Sequence, residues 1–169
     1  MVNNKESVLL HQMGNFSQNM LQNHHLENLS EFVLHDLCSE QGFGIKKAAY
    51  LVNNPDFECL KGVAGYHHPE SFMSGNCWGD QKQFTSHMQQ SDFNNVVRSY
   101  VESIKEQDLS SDKIAELADR FEIADPAYYS WNAKHNNQGF FIYESLQDEK
   151  DAQNYLQYFL HMLSFCPIF

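Results

Sequence analysis

The chain has 169 residues, of which 42% are hydrophobic and 14% aromatic, enough for one buried core in a domain of ordinary size and too apolar for a disordered chain. Its formal net charge is −11, with 11 scattered Lys and Arg residues, a field that repels phosphate backbones and anionic lipid and argues against nucleic acid or a membrane surface as a direct partner. No apolar run reaches the roughly 20 residues that span a bilayer, and the polar N-terminus lacks the parts of a secretion signal, so a cytoplasmic location is the expectation.

Residues 5–22 predict a first helix, with Leu9, Met13, Phe16 and Met20 on one narrow stripe. A narrow seam on a polar helix suits packing against a single neighbour, and residues 1–24 read as an amphipathic dimerisation element ahead of a domain at 25–169. A second helix is expected from His25 to Cys38, its stripe Leu26, Leu29, Val33 and Leu37, ended by Gly42 and Gly44. The period then changes. Ile45 to Val52 reads as a strand, Asn53-Asn54-Pro55-Asp56 as a turn, and Phe57 to Tyr66 as the return strand of a hairpin.

Residues 67–92 read as a long irregular connection anchored by Phe72 and Trp78. A helix is expected over 93–106, and a shorter one from Asp112 to Phe121 with Ser110 as its N-cap. Ala127 to Ala133 and Phe140 to Ser145 predict a second hairpin about the turn at 135–139. A final helix is expected from Asp148 to Phe165. Asp148, Glu149 and Asp151 sit in its first turns, where negative charge suits the helix dipole, and Ala152, Leu156, Phe159, Leu160 and Leu163 form its apolar face. The order implies an α+β fold, a central antiparallel sheet with flanking N- and C-terminal helices.

Two stretches resemble the GAF family of sensor domains. One is the helix ending LHDLCSEQGFG that leads into IKKAAYLVNN and LKGVAGY; the other is QGFFIYESL ahead of the terminal helix. PAS domains and the autoinducer-binding domains of quorum regulators have related architecture. The resemblance implies a sheet with helices on one face forming a packing or dimer layer, the other face roofed by the middle segment over a ligand site. GAF domains bind cyclic nucleotides, tetrapyrroles, amino acids, metabolites or metal centres, and some only dimerise. It covers the two ends of the chain; the middle departs from the pattern, because no further strand is apparent there.

Aromatic walls with a few polar groups suit small-molecule pockets, which makes Tyr66, His67, His68, Phe72, Trp78, Tyr129 and Trp131 the candidate ligand-binding residues. Tyr129 and Trp131 share one face of their strand and Tyr128 takes the other. His67, His68 and Cys77 are the candidate metal ligands, with Cys59 and His87 in reach of the same cluster, since imidazole and thiolate suit zinc or iron. The run Tyr66-His67-His68-Pro69, with Ser74 and Asp80, is similar to the JAMM metalloprotease pattern. Adjacent histidines on a strand point to opposite faces, which disfavours their sharing one ion. His35 and Cys38, three apart, share a helix face. The four cysteines, Cys38, Cys59, Cys77 and Cys166, show no CxxC pairing and read as free thiols. There is no nucleophile elbow, P-loop or dinucleotide fingerprint, and no motif names a cofactor.

These features favour a non-enzymatic sensory or regulatory domain that binds a small molecule and pairs with a second copy through its terminal helices. The alternatives are a metal-dependent enzyme or metal-binding protein using the His67/His68 region, and a dimerisation domain with a filled core.

Overall fold

The computed structural model describes residues 4–105, 108–145 and 150–168. It is mixed helix and strand, with one five-stranded antiparallel sheet and seven α-helices among the described residues. The strands are β1 (Lys47–Asn54), β2 (Cys59–His67), β3 (Val101–Ser103), β4 (Pro126–Asn132) and β5 (Gln138–Glu144), in the order β3-β2-β1-β5-β4. Both expected hairpins are present. β1 and β2 turn on Asn54, whose side chain accepts from the Asp56 and Phe57 amides ahead of a 3-10 turn at Pro55–Phe57. β4 and β5 pair with Trp131 opposite Gly139.

β1 lies at the centre and is buried on both sides, so the sheet carries helices on both faces. Ala48, Tyr50 and Val52 face α1 (Asn4–Gln22), α2 (Leu29–Cys38) and α7 (Lys150–Leu160). Ala49 and Leu51 face α5 (Asp92–Arg98) and α6 (Ser111–Arg120). A bulge between Tyr50 and Leu51 inserts Val63 into β2 and returns Ala64 and Tyr66 to the first face.

The middle of the chain differs from expectation. Residues 67–92 contain α3 (His68–Ser71) and α4 (Gln81–Gln89), the latter capped by Asp80, which accepts from the Gln83 amide. α4 buries only Phe84 and Met88, one turn apart, too thin a stripe to stand out in a polar run. The helix expected over 93–106 ends at Arg98. The Gly62 amide donates to the Tyr100 carbonyl at 2.9 Å and draws the chain off into β3, the strand the sequence did not reveal. The roof expected on the far face is also divided. Trp78 and α4 pack on the α1/α2/α7 face, while α5 and α6 cover the other.

The ends need smaller corrections. α2 begins at Leu29 rather than His25, and the last helix gives way to a 3-10 turn at His161–Phe165. Asp148 and Glu149 lie outside the described residues, as do the side chains of Asp151 and Ala152. Half of the α1 seam packs within the chain: Phe16 and Met20 join the core, with Phe16 meeting Phe159 edge-on at 5.7 Å, while Leu9 and Met13 are half-buried. No helix among the described residues is long and apolar enough to cross a membrane.

Candidate functional site

α2 carries Ser30 and Glu31 in its first turn and a second polar pair, His35 and Asp36, at its last. Consecutive residues on a helix point about 100° apart, so His35 and Asp36 diverge. His35 turns inward between Phe84, at 5.2 Å, and Tyr66, at 6.1 Å, both edge-on. Asp36 stays at the rim, where the loop after α3 comes down on it. That loop sets Cys77 and Trp78 against one carboxylate. Trp78 Nε1 donates to Asp36 Oδ2 at 2.7 Å, and the Cys77 thiol donates to Oδ1 at 3.6 Å. Asn76 accepts from the Trp78 amide at 3.1 Å, and the indole rests on Phe32 at 4.9 Å, which fixes the loop.

These groups form the floor of a cleft of about 650 Å³ between α1, the turn after α2 and the loop at 72–78. Phe16, Phe43, Phe72, Met73 and Phe159 make its apolar walls; Gln12, Asn15, Asn19 and Glu40 its polar edge. An apolar cleft with a few fixed polar groups is the usual form of a small-molecule site. His35 is 5% exposed, and neither ring nitrogen has a hydrogen-bond partner. A buried polar atom without a partner costs about 1–3 kcal/mol, so this ring is the feature of the floor most in want of a ligand. Burial first, and the Asp36 charge second, push the Cys77 thiol well above its ordinary value. It is therefore a neutral thiol and a poor nucleophile at physiological pH.

The residues expected at the site part company here. Phe72, Trp78 and Cys77 line the cleft. Tyr66, His67, His68, Tyr129 and Trp131 do not line it. Tyr66 touches the site only through His35, and its hydroxyl meets His68 Nδ1 at 3.1 Å. The two histidines take opposite faces, as the strand period requires: His68 lies by Tyr66 and Phe72, His67 by Phe93. His67 Nδ1 also sits 3.5 Å from Glu70 Oε1. Tyr129 and Trp131 form a stack with Tyr50, closed by the Trp131 Nε1 bond to Ser164 at 2.8 Å.

Among the described residues, the set of His, Cys, Asp and Glu groups close enough to hold a metal is His35, Asp36 and Cys77, with ligand atoms within 4.8 Å of one another. Cys77 was among the sequence candidates; His35 was read only as a neighbour of Cys38, and Asp36 was not singled out. The available signal was a second polar pair, His-Asp, near the end of a largely apolar helix. Spacing could not join it to a loop 41 residues away.

No protein-family model, curated protein or solved structure matches the chain.

Proposed function

We propose that this chain is a non-enzymatic, GAF-like sensory or regulatory module that binds a small molecule in the cleft between α1, α2 and the loop at 72–78. The observation that carries the reading is the composition of the cleft wall. Phe16 comes from the first helix and Phe159 from the last, so an occupant touches both terminal helices directly. A ligand that prefers one packing of those helices shifts the population toward it by its difference in affinity. A partner or output domain attached to either helix can read that shift. An antiparallel sheet bearing the terminal helices on one face also supports the GAF-like layout.

In the same reading the module works in the cytoplasm as a homodimer through α1 and α7. α1 keeps Leu10 and Leu21 exposed, eleven residues or about three turns apart and thus on one line. Light scattering of the purified chain reads a dimer, and Leu21→Lys gives the monomer; a monomeric wild type removes the dimer from the proposal.

Native mass spectrometry of protein taken directly from cells, with fluorescence titration of anilinonaphthalene sulfonate, tests the cleft itself. The expected result is a bound small mass and saturable one-to-one dye binding. Ser74→Trp, which places an indole at an exposed position on the cleft lining, abolishes both. Dye binding that does not saturate, or that is indifferent to Ser74→Trp, sinks the cleft reading.

A further inference from the structure

The cleft floor has more specific chemistry than a generic apolar site. We propose that His35, Asp36 and Cys77 hold one divalent transition-metal ion of the zinc class, with its fourth coordination position opening into the cleft. The inference rests on the proposed role of the cleft and names the group that would capture its ligand.

Three observations carry it. First, the donors converge. Tetrahedral zinc with ordinary bond lengths places a sulfur and an oxygen ligand about 3.6 Å apart, and a nitrogen and an oxygen about 3.4 Å apart. Cys77 Sγ and Asp36 Oδ1 lie 3.6 Å apart, and His35 Nδ1 and Asp36 Oδ1 lie 3.9 Å apart. The His35 and Cys77 donors lie within 4.8 Å of each other, so side-chain shifts of about one ångström or less bring all three onto one ion. Second, the His35 ring is buried and unpartnered at both nitrogens, beside a carboxylate and a thiol that it does not hydrogen-bond. A bound ion supplies the missing partner. Third, the carboxylate is already oriented. The Trp78 indole N–H occupies Oδ2 and leaves Oδ1 aimed at the cluster, the arrangement by which outer groups fix a metal ligand.

The donor set selects the ion. One imidazole, one thiolate and one carboxylate suit zinc and disfavour calcium or magnesium, which take oxygen alone. Binding releases the Cys77 proton to solvent and forms the metal–sulfur bond. Three protein ligands leave tetrahedral zinc one position short, and open positions belong to sites that bind exogenous molecules rather than to closed structural ones. All three residues border the cleft, so the fourth ligand is water or a donor atom of the cleft occupant. The ligand class is thereby narrowed to small molecules with an apolar body and one amine, carboxylate or thiol head.

The test uses the full chain, stripped with a chelator and titrated separately with zinc alone, against a competing chromogenic chelator, and with cobalt(II) alone. One equivalent of zinc binds, and the cobalt complex shows tetrahedral d–d bands with a thiolate-to-cobalt charge-transfer band. Cys77→Ser abolishes the charge-transfer band. His35→Leu and Asp36→Asn weaken zinc by about tenfold or more, since losing even an outer partner of a ligand costs about 10- to 100-fold. Both variants should fold: leucine replaces a ring that makes no hydrogen bond, and asparagine still accepts from Trp78. His67→Ala, on the other face of the sheet, leaves binding unchanged. Absence of a stoichiometric site, a cobalt spectrum without the sulfur band, or zinc affinity indifferent to His35→Leu and Asp36→Asn overturns the proposal. Anilinonaphthalene sulfonate binding in the metal-free protein separates the two readings: dye without metal refutes the ion alone, and metal without dye refutes the apolar cleft alone.

Discussion

Asn94 is fully buried and uses both ends of its amide. Its oxygen accepts from the Gly65 amide at 2.9 Å; its nitrogen donates to Glu31 Oε1 at 2.9 Å and the Met88 carbonyl at 3.2 Å. Glu31, also buried, takes Arg98 Nη1 on that same oxygen at 2.7 Å, and Asn28 on the other at 2.9 Å. One asparagine thus ties α2, the α4–α5 corner and β2. Asn94→Ala leaves several of these groups unpaired away from water, and about 2–4 kcal/mol is the expected loss. Urea denaturation reads it as a lower midpoint at an unchanged slope. Glu70 offers a pH test. Burial raises its pKa, but hydrogen bonds from the Phe93 amide, Ser91 and His67 together outweigh that and hold it below the ordinary glutamate value of 4.5. The unfolded chain therefore binds the proton more readily than the folded one. The stability Glu70 contributes is present above pH 4.5 and lost as the pH falls through its folded value. Glu70→Gln should flatten that acid limb in melting scans from pH 7 downward; an equally steep limb would mean that other carboxylates carry it.

At the scale of elements, the contact of α5 with β2 depends on absent side chains. A Cβ on Gly62 would lie 1.8 Å from the Val97 carbonyl oxygen, which is backbone and cannot give way without moving the helix. A Cβ on Gly65 would meet Val97 Cγ2 at 2.8 Å and the Phe93 ring at 3.0 Å, side chains that can rotate. Gly62→Ala should cost about 3 kcal/mol or more and Gly65→Ala about 1–2 kcal/mol, with thermal melts giving the order; the reverse order would mean that α5 slides freely on the sheet. The same pair explains what was readable beforehand. LKGVAGY reads as a strand because of its apolar period, but nothing in it says that its two glycines receive a helix. β1 and β5 announced themselves by continuous apolar runs between turn residues. β3 has two exposed residues of three and gains its place only by bonding to β2, so it had no signal to give. The site divides in the same way. Phe72 and Trp78 were legible as aromatic anchors in a polar loop. The partnership of Trp78 with Asp36 was not, because it is a long-range contact between a helix end and a loop.

For the molecule as a whole, the sheet is held from both sides, and on the face that bears the cleft α1 is the lightly held element. α1 is fastened chiefly by Phe16 and Met20, with Met13 partly buried, and most of its other described residues face solvent. An element with so little buried surface opens at a lower free energy than the global transition. α1 is therefore expected to exchange its amide hydrogens as a separate unit, ahead of β1 and β2. Phe16→Ala removes the ring that meets Phe159 and should speed exchange along α1 while leaving the sheet protected. Occupying the cleft should do the reverse. Gln12, Asn15, Phe16 and Asn19 all border it, so a bound molecule ties α1 to the loop at 72–78 and stabilises the closed helix by RT ln(1 + [L]/Kd). At a hundredfold excess over Kd this is about 2.7 kcal/mol, or about a hundredfold slower opening of α1. Hydrogen exchange with anilinonaphthalene sulfonate at saturation measures it directly. Protection should rise in α1 and around residues 72–78, stay level in β4, and vanish in Ser74→Trp. A change spread evenly over the sheet would instead mean that the dye stabilises the fold as one body, and a module that behaves so has no separate helix through which to signal.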